Sequence, residues 1–366
     1  MTFPNQARAS FLPASFALAV TLGWCGALGA AAPEGKFAEG MHLLITGSGS
    51  AMPDPERAGA SAVVTVDGKI LLFDCGRGVM ENMIRAGINP VNVDYAFLTH
   101  HHFDHIASYD YFIYSTWIAG RQEVLPVYGP PGTVELHDGA VHGMHAADFK
   151  FVQFIVENWP PDQEVRPRME PPFQVKDVRA GVVLKTKDFT VTAVETIHYP
   201  YPDHMSLAYR VDSRHGSIVI SGDTGPSEEV AHLAKNADIL LHEVTKPDPG
   251  MLSGGKFASK EFQDPSQKRP QTGHTAPTEL GKLATGAGVK LLVGYHLNPL
   301  TGSDAMIDMM KLYTGQAAGQ HIWSEFIHAV KNEFDGPFVL AEDGMVFSVG
   351  PKKEAKADAK IDPNKE

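Results

Sequence analysis

Thr99-His100-His101-His102-Phe103-Asp104-His105 reads H-x-H-x-D-H, with four metal-ligating side chains inside six residues. An apolar run, Val93-Asp94-Tyr95-Ala96-Phe97-Leu98, leads into it and predicts a buried strand. The ligands are therefore expected just past a strand end, on a loop that a rigid sheet can aim. Imidazole nitrogens with a carboxylate suit zinc, with iron or manganese as second choices. Histidine is an uncommon residue, and this spacing beside an Asp points to a bound cation rather than to a solvated polar turn.

Outward from the motif, short strands alternate with turns and helices. His42 to Thr46 predicts a first strand and Gly47 to Ser50 a turn; Ala62 to Val66, Asp67-Gly68 and Lys69 to Phe73 predict a hairpin. Val79 to Ala86 is expected to be a helix ending at Gly87, and Ile106 to Ala119 a strongly aromatic one. Leu125 to Gly129 reads as a strand. Residues 137–181 carry Pro160-Pro161 and Pro171-Pro172 and are expected to form an insertion or lid over the site. Strands are expected again at Phe189 to Thr196, Ser206 to Val211, Ser217 to Ser221, Ile239 to Leu241 and Lys290 to Val293, and helices at Ser227 to Lys235 and Thr278 to Ala287. This mixture suggests two sheets covered by helices in one domain, residues 41–350.

The bulk numbers agree with a globular chain: 366 residues, 43% hydrophobic and 20% charged. The balance is acidic, 31 Lys+Arg against 43 Asp+Glu, formally -12. Without a basic patch, non-specific nucleic-acid binding lacks its usual electrostatic footprint. Phe11 to Ala32 is apolar and rich in small residues, and Arg8 is the only charge before Glu34. Its apolar centre is too short to span a bilayer, so residues 1–32 are expected to be a signal peptide cleaved near Ala30 or Ala32, placing the protein in the periplasm or outside the cell. The tail 351–366, charged and poor in apolar residues, is expected to be disordered. Of the two cysteines, Cys25 lies in the leader, leaving Cys75 to act as a small buried hydrophobe rather than as half of a disulfide.

Four ligands cannot close a two-metal site, so others must come from further strand ends. Asp223 follows Ile218-Val219-Ile220 and precedes a helix, where an Asp can bridge cations or serve as a turn or capping residue. His198 and His204 both follow the strand ending at Ile197, and one of them is expected to be a ligand. His296, His274 and Glu243 each stand just past an apolar strand or ahead of a helix. Any one of these taken singly suits a structural polar role; their shared placement makes them convergent at one sheet edge.

With these residues in hand, the chain resembles the metallo-β-lactamase superfamily, and within it the ribonuclease Z / arylsulfatase-like branch, from about Leu43 to Phe347. Leu44 to Ser50 with Pro53 and Arg57 is similar to the opening strand-turn, Phe73-Asp74-Cys75-Gly76 to the second signature, and the His100 to His105 stretch to the metal loop. Ser221 to Thr224 through Leu241 to Thr245 resembles the bridging-Asp segment, His274-Thr275 the His-Ser/Thr motif, and Tyr295-His296 the last metal His. The resemblance implies an α+β fold, an αββα sandwich of two mixed β-sheets flanked by helices, with two Zn2+ (or Mn2+ or Fe2+) at one edge. It implies His100, His102 and His198 on one metal, Asp104, His105 and His296 on the other, and Asp223 bridging them. Asp104 is expected to orient the attacking hydroxide, His274 to protonate the leaving oxygen, and Glu243 to hold the His274 ring.

These expectations describe a periplasmic or secreted binuclear zinc hydrolase of a phosphodiester or sulfate ester, the alternative being a carboxylic ester, lactone or β-lactam hydrolase on the same metals. Residues 143–181 lack the Lys/Arg cluster of a tRNA-gripping arm, so a small anionic or aromatic ester is expected as substrate and tRNA is not. No membrane span is expected after leader cleavage, and a homodimer is allowed. An aromatic stripe at Phe112, Tyr114 and Trp117, with Trp159, reads as core packing before it reads as a substrate pocket.

Overall fold

The computed structural model describes residues 37–245, 273–298 and 323–350, apart from positions 164 and 200, together with Gly35 and residues 308–309. The expected leader (1–32) and tail (351–366) lie outside the described residues.

One sheet holds β1 (Met41–Gly47), β2 (Ser61–Val66), β3 (Lys69–Phe73), β4 (Tyr95–Phe97), β5 (Leu125–Gly129), β6 (Phe173–Asp177) and the final strand β14 (Val346–Val349), in the order β14-β1-β2-β3-β4-β5-β6. The other holds β7 (Gly181–Lys185), β8 (Phe189–Glu195), β9 (Leu207–Ser213), β10 (Gly216–Ile220), β11 (Ile239–Glu243), β12 (Leu291–Tyr295) and β13 (Phe338–Leu340), in the order β13-β12-β11-β10-β9-β8-β7. Each sheet is mixed: β3 to β6 run parallel to one another, as do β10 to β13, whereas β14, β1, β2 and β3 pair antiparallel, as do β7 to β10. This is the expected sandwich.

Side chains alternate across each strand, so one strand feeds two cores. Leu43 and Ile45 point between the sheets, with Phe73, Phe97, Val191, Tyr209, Ile218 and Val293. Leu44 points outward, to the layer formed with α1 (Val79–Arg85), α3 (Tyr109–Ile118) and α5 (Ala146–Glu157). On the far face Val219, Leu240 and Leu292 meet α6 (Glu228–Leu233), α7 (Pro277–Ala287) and α8 (Trp323–Lys331). Burial on both faces is why these strands read as unbroken apolar runs. Phe112, Tyr114 and Trp117 are core residues of the first helical layer, as their spacing suggests.

The hairpin forms on Asp67-Gly68, both at positive φ (+47° and +82°), as a tight primed turn demands. Two expectations need correction. The aromatic helix is broken into α2 (Phe103–Ile106) and α3, because the Ser108 amide donates to the Cys75 carbonyl (2.8 Å) instead of continuing the helical ladder. The motif is therefore partly helical rather than a loop. The stretch 137–181 ends in β6, which pairs with β5 over Leu125–Gly129, so its C-terminal part is built into the first sheet. Among the described residues no helix is long and apolar enough to cross a membrane.

Candidate metal centre

The central strands of both sheets end at one rim. β3 delivers Asp74, β4 delivers His100 to His105, β8 leads to His198, β10 to Asp223, β11 carries Glu243, and β12 leads to His296. Ligands outside the carboxyl ends of parallel strands are a general consequence of such topology. The backbone bends sharply there: Asp74 and His296 adopt left-handed φ of +58° and +61°, a conformation non-glycine residues hold where the surroundings enforce it. Gly222 (φ +58°) crosses Thr99 of the opposite sheet so closely that a Cβ would lie 2.7 Å from the threonine Cβ. Thr99 ties the layers, its carbonyl accepting from the Leu207 amide (2.9 Å), while the Tyr209 hydroxyl donates to the Leu98 carbonyl (2.8 Å).

At this rim His102 Nδ1 lies 3.0 Å from His100 Nε2 and 2.9 Å from His198 Nε2, with Asp223 Oδ2 3.8 Å from each of the latter two nitrogens. On the other side of Asp223, His105 Nε2 is 3.2 Å from Oδ1 and His296 Nε2 is 3.3 Å from Oδ2. Asp104 Oδ2 stands 3.1 Å from His296 Nε2 and 3.8 Å from His105 Nε2. Ligand atoms about a tetrahedral zinc are spaced by about 3.3 Å. The structure thus forms two adjoining donor groups, His100, His102 and His198 with Asp223, and Asp104 with His105 and His296; Asp223 reaches the second through His105 and His296, and also groups with His274 and His296. His204 sits on the Asp203–Met205 turn and belongs to neither.

The surroundings suit cations. Nearly every donor is buried, and His105 Nε2 and Asp223 Oδ1 face each other without making a hydrogen bond. Burial, with the crowding of other imidazoles, holds His100, His102 and His198 below the usual histidine range, His198 to about 3, so they present neutral rings with lone pairs. Around His105 burial opposes charge, but Asp223, Asp74 and Asp104 outweigh it and raise its pKa; positive charge is favoured at that point. Burial likewise opposes charge on Asp104, yet His105 and His296 bring it down to about 2.

A second ring of contacts aims the donors. Asp74 accepts from the Thr99 amide (2.7 Å) and hydroxyl (2.8 Å), and its Oδ2 lies 2.8 Å from His105 Nδ1, which commits Nε2 to the rim. His198 Nδ1 is 2.8 Å from the Gly273 carbonyl, with the same effect. The Cys75 amide donates to the His105 carbonyl (2.7 Å). The cysteine itself is buried and burial pushes its thiol up, so it packs as the small hydrophobe expected. His101 faces away, its Nε2 2.8 Å from Thr133 Oγ1. The sequence marks Asp74 within a family signature and Thr99 at the head of the metal motif, but not what either side chain holds, since their partners lie far along the chain.

His274 and Glu243 stand beside the cluster. Buried Glu243 accepts from the Thr275 amide (2.6 Å), and its Oε2 is 3.5 Å from His274 Nδ1. Burial disfavours charge on His274, but Glu243 and Asp223 overcome it and lift the pKa to about 9. A cavity of about 130 Å³ opens over the rim, with His102, Phe103, Asp104, Asp223, His274 and His296 in its wall. No residue of 137–181 lines it.

The family model described as anti-Pycsar protein Apyc1 matches residues 41–251. A ribonuclease Z from Mycobacterium bovis is 29% identical over 268 residues, covering 72% of this chain and 88% of that protein. Among solved structures, the metallo-β-lactamase fold protein YhfI from Bacillus subtilis aligns with a TM-score of 0.57 at 19% identity, covering 84% of this chain and 99% of that one. Human tRNase Z, short form, aligns with a TM-score of 0.56 at 19% identity, covering 85% and 100%. Resemblance to ribonuclease Z proteins overturns the expectation that tRNA is not a partner. The expectation rested on the segment 143–181 and on the reading of an exported, acidic protein, whereas phosphate attraction depends on the local field, which candidate cation sites at this rim would concentrate. The chain belongs to the anti-Pycsar Apyc1 family; it is a metal-dependent hydrolase of the metallo-β-lactamase superfamily, in its ribonuclease Z-like branch.

Proposed function

We propose that this hydrolase cleaves phosphodiester bonds of RNA, with His100, His102 and His198 holding one divalent cation, Asp104, His105 and His296 a second, and Asp223 shared. The observation that carries the reading is the pair of adjoining donor groups, with a charged imidazole, His274, in the same cavity wall. Bound there, two cations would supply Lewis acidity, acidifying water and neutralising charge on the phosphoryl oxygens. The chain supplies the rest. Asp104 presents a carboxylate, held ionised by His105 and His296, that can orient the attacking solvent molecule. His274, kept charged by Glu243, donates a proton to the departing alkoxide, a leaving group that needs one. Ribonuclease Z relatives favour the phosphodiester over the sulfate ester. Zinc is the first metal to test, given the imidazole-rich donor set.

The test is direct. Protein reconstituted with Zn2+ or Mn2+ is assayed on a tRNA precursor, bis-p-nitrophenyl phosphate and p-nitrophenyl sulfate. Cleavage of the RNA and the phosphodiester, abolished by a chelator and restored by metal, is the expected result. Turnover of the sulfate ester alone would overturn the proposal. The apolar segment Phe11 to Ala32 supports the further proposal that the protein is exported, checked by N-terminal sequencing of protein recovered from the periplasmic fraction.

A further inference from the structure

Phe103 lies between His102 and Asp104 and opens α2. A helical turn rotates each residue by about 100°, and here Asp104 and His105 turn inward to burial while Phe103 turns out, 62% exposed. Its ring belongs to none of the three apolar cores, although it lines the cavity over the metal centre. Leaving a phenylalanine in water forgoes the gain of burying its apolar surface. A single exposed ring on a protein surface is ordinary; this one is set apart by its place. Its Cα is about 3.8 Å from those of both flanking donor residues. Any group resting on the ring while a phosphoryl group meets His102 and Asp104 must therefore be within about one nucleotide of the scissile bond. Within a nucleotide, the part with a π-face is the base. Buried Met52 lines the same cavity and adds a polarisable apolar surface suited to an aromatic guest.

We infer that Phe103 is a stacking platform for the nucleobase that flanks the scissile phosphodiester, which makes it a substrate-binding residue. The inference rests on the phosphodiesterase reading above. Stacking of a base on an aromatic side chain is worth about 1–3 kcal/mol, roughly a 5- to 150-fold change in kcat/KM. It tolerates every base identity.

The experiment uses the metal-loaded full chain and an RNA whose cleavage position has been mapped. Matched RNAs carry an abasic ribose on the 5′ or the 3′ side of that bond. Wild-type protein should lose roughly 5- to 150-fold in kcat/KM on one of the abasic RNAs. Phe103→Ala should lose the same factor on the intact RNA and nothing further on that abasic RNA. Phe103→Trp should retain activity on the intact RNA and Phe103→Leu only part of it, all variants binding equal metal. Equal losses by Phe103→Ala on intact and abasic RNA, full rescue by Phe103→Leu, or indifference of wild type to base removal would each overturn the inference while leaving phosphodiester hydrolysis standing. Failure of wild type to cleave any of the RNAs would overturn both readings.

Discussion

His274 is the side chain whose replacement separates chemistry from metal binding. It sits beside both donor groups, yet Glu243 claims its Nδ1 side and holds it charged. His274→Ala is expected to lower kcat by roughly 10²- to 10⁴-fold while metal content, read by elemental analysis, stays unchanged; loss of metal would make it a ligand instead. Asp74 makes the complementary case. Its carboxylate fixes the His105 ring from outside the donor set, so Asp74→Asn should weaken metal affinity by about 10- to 100-fold in a chelator competition. The sequence marks both residues, but only the first by its role. His274 precedes a helix in a recognisable Gly-His-Thr stretch, whereas Asp74 meets His105 across 31 positions of chain, a pairing no local pattern encodes. His198 and His204 could not be separated by spacing either. What selects His198 is the Gly273 carbonyl, 75 residues away, that turns its ring.

At the level of elements, legibility follows burial. Strands packed on both faces, such as β10 and β11, show as apolar runs and were readable. β6, Phe-Gln-Val-Lys-Asp at a sheet edge, is half-exposed and carries no such run, so it merged into the proline-rich stretch around it. The break between α2 and α3 was hidden for another reason, since a backbone hydrogen bond to Cys75 causes it and side chains do not. The turn after β10 is the element most sensitive to a single methyl group. Gly222→Ala would force a side chain into a left-handed residue and against Thr99. A loss of about 1–2 kcal/mol from the backbone alone is expected, with more from the clash, measured by denaturant unfolding. Because the same turn places Asp223, metal affinity should fall with it.

Across the whole molecule, the described residues form three apolar cores, none of them built from the donor side chains. Chelation is therefore expected to abolish activity while leaving the far-UV circular dichroism of the fold intact. The thermal midpoint should drop, since a cation bound only by the folded state stabilises it by mass action. A collapse of secondary structure on chelation would show that the metals are structural. Net charge, a property of the whole chain, says little about the local field at the rim, where carboxylates and imidazoles converge in groups that could hold cations the formal count of -12 omits.

β14 comes last in the chain yet pairs with β1, at the edge of the sheet that the first half builds. Cut between Asp177 and Gly181, the protein would give two fragments: one carrying His100 to His105 but lacking its border strand, the other bearing that strand together with His198, Asp223 and His296. Neither piece owns a complete set of donors, and the first needs β14 of the second to finish its sheet. Co-expressed, the fragments should reassociate and recover hydrolysis; truncating the second before Val346 should cripple that complementation although no donor has been removed.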